Sequence, residues 1–406
     1  MKTGELIRDL RNARGWSQGR LAIELNKVAG TRLTREYISR RWESGKVEPS
    51  PFWLRHLTTV FGGPLLTGDP EVNRRQLLAS LTIAATSTHD ALSGRRQSGA
   101  DALLADIEHG KISEMRARFG RLVELDNHLG GADTYQLYVT ELSRTESALQ
   151  TMSPRTATTR ELVGLASQQA QQAGWAAFDA GFNDAAHRLF VYGKQAAREA
   201  GDRALEANAL VHIAYATNDR DAADIADAAC DALGTSAPPK AVALLESRRA
   251  WSRARSGDRD GATRALDMAR DALQSDTGSD PEPSWYSWID HNELDIMTGR
   301  VWSVLREPKK ATPPLVRALE RYPVHWARDR ALYLSWLADA CLDAGDPETA
   351  IATADTALSL ATTVASARPL IRVREVAQRF VGRGVTGGPG LLARATAARA
   401  PIPVAL

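Results

Sequence analysis

Small residues and turn glycines recur at matched positions along the last two-thirds of the chain, and this recurrence limits the fold more than any other feature. The clearest copy runs Leu334, Leu337, Ala338, Cys341, Gly345-Asp346, Ala350, Ala354 and Ala357. The same phase returns at Gly174, Ala177, Gly181, Ala186 and Phe190, then at Leu210, Val211, Ala214, Asn218, Ala223 and Cys230, and again at Ala250, Gly257-Asp258, Ala262, Leu266 and Ala269. A poorer copy centres on Gly299. The turn residues Gly181, Asn218, Gly257, Gly299 and Gly345 lie 37, 39, 42 and 46 residues apart. Within each copy, spacings of three and four put the apolar residues on one helix face. Small residues let two helices approach closely, and a turn glycine permits the reversal between them. Each copy is therefore a helical hairpin that cannot bury its own apolar face, so neighbours must stack.

This pattern resembles the tetratricopeptide repeat over about residues 165–380. Asp227 departs from it, standing where the repeat usually has an apolar residue. The resemblance implies a right-handed α-solenoid whose concave surface is lined by fixed positions of each first helix. Those positions are Gln168, Gln171, Trp175 and Phe178, then Asn208, His212 and Tyr215, then Ser247 and Trp251, then Tyr286 and Glu293. Aromatic rings interleaved with amides suit an extended peptide or a small amphipathic ligand. Asn208 is the sharpest candidate. In peptide-sensing regulators of the architecture this chain resembles, a concave asparagine binds both the N–H and the C=O of a peptide backbone.

The first 65 residues read differently. Residues 3–14 carry Leu6, Ile7, Leu10 and Ala13 on one helix face, and Gly15 supplies a left-handed stop. Ser17 can cap a second helix with Leu21, Ala22 and Leu25 inward. Thr34 can cap a third, Arg35 to Ser44, with Ile38 and Trp42 inward, and Gly45 ends it. Ser50-Pro51 opens a fourth with Pro at the favoured first position. Its apolar face is Trp53 or Leu54, Leu57, Val60 and Phe61, and Gly62-Gly63-Pro64 stops it. The run Trp16-Ser17-Gln18, Leu21-Ala22, Ile38-Ser39-Arg40, Trp42-Glu43-Ser44-Gly45-Lys46 and Pro49-Ser50 resembles the phage-repressor-like (XRE, Cro/CI) helix-turn-helix family, over roughly residues 3–62.

Two departures from that family matter. The connection Lys27 to Leu33 is about six residues longer than the family's tight turn. Ile38 and Trp42 are also four apart where the family usually has three. One extra residue in a helix of ~3.6 residues per turn rotates everything after Ile38 by roughly 100 degrees. The resemblance implies that the third helix enters a major groove with its N-terminal residues at base edges. Thr34, Arg35 and Glu36 lead it. Arginine can bind guanine in bidentate fashion and glutamate can accept from cytosine. Tyr37 and Arg40 would reach bases or backbone. Gln18 matches the family position that grips phosphate, and Arg32, Arg41 and Lys46 are further phosphate contacts. Charge agrees with this division of labour. Residues 1–65 carry 12 Lys/Arg against 6 Asp/Glu, while the remainder carries 39 against 43. A basic head on a slightly acidic body is the footprint of a chain that touches phosphates at one end only.

Other readings find little support. Cys230 and Cys341 form no CxxC or Cys/His group, which fits a reducing cytoplasm rather than a disulfide framework or a structural zinc. No apolar run approaches the ~20 residues that span a bilayer. Asn73-Arg74-Arg75-Gln76-Leu77-Leu78 resembles a twin-arginine export signal, but a complete-looking domain precedes it, and a linker helix is expected there. His291-Asn292-Glu293 lacks the second histidine of a zinc motif, and no phosphate-cradling loop or nucleophile elbow is present, so an enzyme is disfavoured and no cofactor is implied. Trp285, Trp288, Trp302, Trp326 and Trp336 are expected in the core. The Ala- and Arg-rich usage is similar to that of high-GC actinobacterial proteins.

The expected fold is thus all-α, a four- to five-helix helix-turn-helix bundle followed by a tetratricopeptide-like solenoid. The expected parts are a DNA-binding domain at 1–65, a linker with a short helix at 66–112, a sensor or interaction array at 113–381 and a flexible tail at 382–406. The expected function is a cytoplasmic, sequence-specific transcriptional regulator, homodimeric on a two-fold DNA operator. Its array would bind a peptide or small-molecule effector, mediate dimerisation, or both. The alternative is an array that only docks proteins or dimerises.

Overall fold

The computed structural model describes residues 16–29, 34–47, 100–150, 157–217, 219–234, 237–278 and 282–399, together with positions 4, 7, 8, 11, 12, 49, 53, 56, 57 and 60. These residues form two compact units, one within 1–98 and one over 99–403. The described residues are all-α.

In the first unit, α1 (Gln18–Ala29) starts as its sequence dictates: the Ser17 hydroxyl accepts from the Arg20 N–H at 3.1 Å. Leu21, Ala22 and Leu25 turn inward and are buried. The next element begins as α2 (Arg35–Tyr37), capped by the Thr34 hydroxyl, which accepts from the Tyr37 N–H at 3.3 Å. It then widens into a π-turn over Ile38–Trp42, in which the Glu43 N–H reaches back five residues to the Ile38 carbonyl at 2.9 Å. A π-turn holds one residue more than an α-turn. The extra residue between Ile38 and Trp42 is therefore absorbed on the spot. Ile38 is 0% and Trp42 1% exposed, both on the buried face. Gly45, at φ 69°, ends the element. Ile7 and Leu57, each in helical conformation and fully buried, complete the core with these side chains. Trp42 packs edge-on against Tyr37 and Trp53, with ring centroids 5.6 and 5.5 Å away. Val60 packs against this core, partly buried, while Leu6, Leu10, Ala13, Leu54 and Phe61, and the twin-arginine segment, lie outside the described residues.

The second unit is a stack of antiparallel hairpins. It comprises α3 (Ala100–Asp126) with α4 (Gly131–Leu149), α5 (Ala157–Ala180) with α6 (Asn183–Ala200), α7 (Arg203–Tyr215) with α8 (Asp219–Leu233), and α9 (Pro239–Arg255) with α10 (Arg259–Gln274). There follow α11 (His291–Val304) with α12 (Pro308–Arg321), α13 (Ala327–Asp343) with α14 (Pro347–Ala361), and α15 (Arg368–Gly382) with α16 (Gly388–Ala397). From α5 onward, the first helix of each hairpin packs on the first helix of the next. This is the tetratricopeptide-like arrangement the repeat implied.

The Gly-Asp pairs explain the reversals. Gly257 and Gly345 take φ of 83° each, and the following Asp258 and Asp346 cap α10 and α14 by accepting from the Gly261 and Thr349 N–H groups. Gly174 serves close packing instead: a Cβ there would sit 2.6 Å from the Phe190 ring. Asp227, the polar intruder, is half-buried and is met by Arg253 from α9.

Three sequence expectations change, and a fourth goes untested. Gly299 is not a turn residue. It lies inside α11, where a Cβ would collide with Leu315 of α12 at 2.3 Å, and Arg306 makes the reversal at φ 60°. Asn218 lies outside the described residues. The expected linker runs into structure, because α3 begins at Ala100. The glycine-rich stretch after 382 is no tail as far as residue 399. Gly384 and Gly387 take φ of 66° and 85° and turn the chain into α16, whose Leu391 and Ala395 are fully buried. Arg374 of α15 closes that helix by donating to the Ala395 and Ala398 carbonyls.

The array also closes on itself, which no local pattern announced. Asp179, at the end of α5, is 0% exposed. Its carboxylate accepts from the Gly131 N–H and the Ser366 hydroxyl, each at 2.8 Å, and lies 3.5 Å from Arg368. The Ala367 N–H donates to the Asp179 carbonyl, and the Ala132 N–H to that of Ala365. Nearby, Arg328 of α13 donates to the Asp126 carboxylate at 3.0 Å, bridging 202 residues of chain. Asp126 also accepts from the Thr134 hydroxyl at 2.6 Å.

Candidate functional site

Two surfaces carry the residues that the sequence singled out. In the first unit, Thr34, Arg35, Glu36, Arg40, Arg41 and Lys46 are exposed while Ile38 and Trp42 anchor the opposite face. The π-turn therefore leaves both Arg40 and Arg41 in solvent. Tyr37 is half-buried beneath the Arg41 guanidinium, 5.2 Å from its ring centroid. Arg35 pairs with the adjacent Glu36 at 3.1 Å, and hydrogen bonds from the backbone and then from Arg35 hold the Glu36 carboxyl below its usual range. This pair must part for either side chain to reach a base. Gln18 is engaged inside the unit. Its amide donates to Glu43 at 2.6 Å, and Glu43 is also held by Arg11 at 2.6 Å. This brace ties α1 to the far end of the π-turn. Arg32 lies outside the described residues.

In the second unit, the first helices of the hairpins surround a cavity of about 1010 Å³. Gln168, Gln171, Trp175, Asn208, His212, Tyr215 and Glu293 line it, as the concave positions predicted. Phe178, Ser247, Trp251 and Tyr286 do not. Phe178 lies behind the wall against Trp175, with Arg368 over its ring. Ser247 is 0% exposed and donates to the Leu244 carbonyl. Trp251 is sandwiched between Tyr215 and Arg300. Tyr286 is buried against Trp285, the neighbour that faces the cavity instead. On α9 the inward stripe is Leu244 and Arg248, so the concave positions assigned to this copy were out of phase.

Asn208 is 4% exposed and committed. Its Nδ2 donates to Gln171 Oε1 at 2.8 Å, while Gln171 Nε2 donates to the Leu205 carbonyl and the Ser167 hydroxyl at 3.1 Å. That contact uses one of the two Nδ2 hydrogens of Asn208. His212 lies among Trp175 and Phe190 with its Nδ1 buried and unpartnered. Burial, assisted by the Arg248 charge, lowers its pKa to about 3, so the ring is neutral. Glu293 accepts from Arg248 at 3.3 Å and from the Tyr333 hydroxyl at 3.4 Å. Burial raises its pKa against the pull of Arg248 and Arg300.

No protein-family model and no curated protein sequence matches this chain. Among solved structures it is similar to PlcR of Bacillus thuringiensis in complex with the peptide PapR7 and DNA, at 10% identity and a TM-score of 0.33, covering 88% of this chain and 94% of that one. It is similar also to the apo form of the quorum sensor NprR from B. thuringiensis, at 11% identity and a TM-score of 0.38, covering 80% and 95%.

Sequence reasoning missed two groups in the cavity wall. Trp285, Trp288 and Trp326 line the cavity, whereas Trp302 and Trp336 are the core residues expected of all five. Arg248, Arg300, Arg328 and Arg368 also line it. The available signal was Arg300 lying seven residues beyond Glu293, two turns along the same face of α11. Among the described residues no group of three His, Cys, Asp or Glu side chains is placed to hold a metal ion, and no helix is long and apolar enough to cross a membrane.

Proposed function

We propose that this chain is a sequence-specific, DNA-binding transcriptional regulator whose helical array binds a peptide or small-molecule effector. One observation carries the DNA half. The Thr34-capped element presents Arg35, Glu36, Arg40 and Arg41 to solvent from a face anchored by fully buried Ile38 and Trp42. A rigid, cationic helix end of this kind can lie in a major groove, with Arg35 and Glu36 reading base edges and Arg40, Arg41 and Lys46 reaching bases or phosphates. The chain acts as a homodimer on a two-fold site, inside the cell.

The effector half rests on the cavity. A surface that only docks another protein has no need of a recess walled by four tryptophans and buried arginines. Residues from both ends of the array line it, including Asp126 and Trp175 on one side and Arg328 and Arg368 on the other. A ligand held there bears directly on the closure contacts of Asp126 and Asp179, and a change at that seam is what alters operator affinity.

An electrophoretic shift assay over fragmented genomic DNA at moderate salt tests the first half, and absence of any preferred fragment overturns it. Repeating the assay with ligand pools tests the second.

A further inference from the structure

One guanidinium in the wall of the cavity has no carboxylate partner among the described residues. Arg300 lines the cavity and is 5% exposed, yet it makes no ion pair among the described residues. Its Nε is buried without a partner, and its Nη1 faces only the Met297 sulfur at 3.2 Å. Trp251 and Trp336 take up the faces of the guanidinium, with centroids 4.4 and 5.7 Å away. They supply cation–π attraction but no acceptor in the plane of the N–H bonds. Their own Nε1 atoms are buried and unpartnered as well.

Arg248 stands alongside and pairs with Glu293. Of these two guanidinium groups, Arg248 has a carboxylate partner and Arg300 has none among the described residues. The charge of these arginines is felt nearby. Burial opposes ionisation of the Tyr215 phenol, but Arg248, Arg300 and Arg368 outweigh it and hold the pKa below the usual value. Arg372 is brought down to about 10 by burial, with Arg306 and Arg300 among the charges that repel it. A desolvated cation without a counter-ion is costly, and an incoming anion removes that cost.

We propose that the cavity takes an anionic ligand whose carboxylate seats on Arg300 beside Arg248, with an apolar or aromatic body against Trp175, Tyr215, Trp285 and Trp288. The proposal rests on the effector reading above and names its chemistry. The paired N–H groups of a guanidinium match a carboxylate in bidentate fashion. The volume of about 1010 Å³ leaves room for a body of several rings or residues. The C-terminus of a short peptide and a free carboxylic acid offer the same group.

The test uses the full chain and matched probes. These are phenylacetate against phenylacetamide, indole-3-acetate against indole-3-acetamide, and a pentapeptide pool with free C-termini against the same pool amidated. Binding is read by calorimetry and by thermal shift. In at least one pair the acid binds about tenfold more tightly than its amide or more, as expected of charge-assisted hydrogen bonds in a desolvated site, and the pair that responds separates peptide from small acid. Arg300→Gln abolishes the preference and Arg300→Lys retains part of it. The acid-against-amide comparison on the unaltered protein stands even if Arg300→Gln fails to fold. Equal binding of acids and amides overturns the anion proposal and leaves the cavity an effector site. Silence from every probe counts against the effector site itself, and so against both.

Discussion

Arg35 of the first unit and Arg300 of the second use a guanidinium in opposite ways. In the first, the Arg35 side chain is 70% exposed and its charge is already solvated. In the second, Arg300 is 5% exposed, and Arg248, Arg328 and Arg368 lie with it around a recess. A solvated guanidinium costs the fold nothing and acts on a partner through a field that salt screens. A desolvated one must be answered by a carboxylate, a ring face or a ligand. The contrast teaches that an arginine on an exposed helix end makes no structural demand, whereas one in the cavity wall is first a structural commitment. Where that commitment is left incomplete, it becomes an invitation to a ligand.

The largest effect that would test this contrast is on stability. Arg328→Ala strands the Asp126 carboxylate, buried and raised in pKa by that burial, and is expected to cost about 3–5 kcal/mol in denaturant unfolding of the array. Arg35→Ala is expected to shift unfolding by no more than ~0.5 kcal/mol. Comparable losses at the two sites would erase the distinction.

Next comes acid sensitivity. The folded pKa of His212 is about 3, below its ordinary 6.5, so the unfolded chain binds the extra proton. The stability contributed by the neutral ring is complete above pH 6.5 and is lost as pH falls toward 3, at up to about 1.4 kcal/mol per pH unit. His212→Phe should flatten the pH dependence of the melting temperature between pH 6 and 4 relative to the parent; an unchanged slope would place the titration elsewhere.

On DNA the expected changes are smaller and differ in kind. Arg35→Ala should relax preference at one base pair by about 1–3 kcal/mol, while Lys46→Ala should weaken all sequences alike and reduce the salt slope by about one. Binding to a panel of single-base operator variants at several salt concentrations separates the two. The smallest effect belongs to the π-turn. Deleting Ser39 should restore an α-turn with Ile38 and Trp42 still inward, leaving unfolding within about 1 kcal/mol of the parent. A large loss would mean that the wide turn is required by the core rather than tolerated by it.

Much of this was legible because it is local. Ser17, Thr34 and Gly45 start and stop their elements as caps and left-handed glycines do. Gly257-Asp258 and Gly345-Asp346 combine a reversal with a cap in two adjacent residues. What escaped was set by distance or by phase. The Asp126–Arg328 and Asp179–Ser366 contacts join residues 202 and 187 apart, and no periodicity within a hairpin points to a partner that remote. Gly299 looked like a turn because a helix that packs against Leu315 needs the same missing Cβ that a reversal does. Ser247 and Trp251 were named one face away from Leu244 and Arg248, since an alanine-rich helix shows its inward stripe only faintly. Gln18 fits a phosphate contact by position, but sequence gave no hint that Glu43 holds it.

The seam at Asp179 has a consequence for how such an array can evolve. An open stack of repeats lengthens by duplication and loosens from its free ends, each unit adding its own increment. Here α4 and the segment 365–368 secure one another. Inserting or deleting a hairpin between them would carry the two halves of the seam out of reach. The number of hairpins is fixed by geometry, and variation is left to the side chains that face inward.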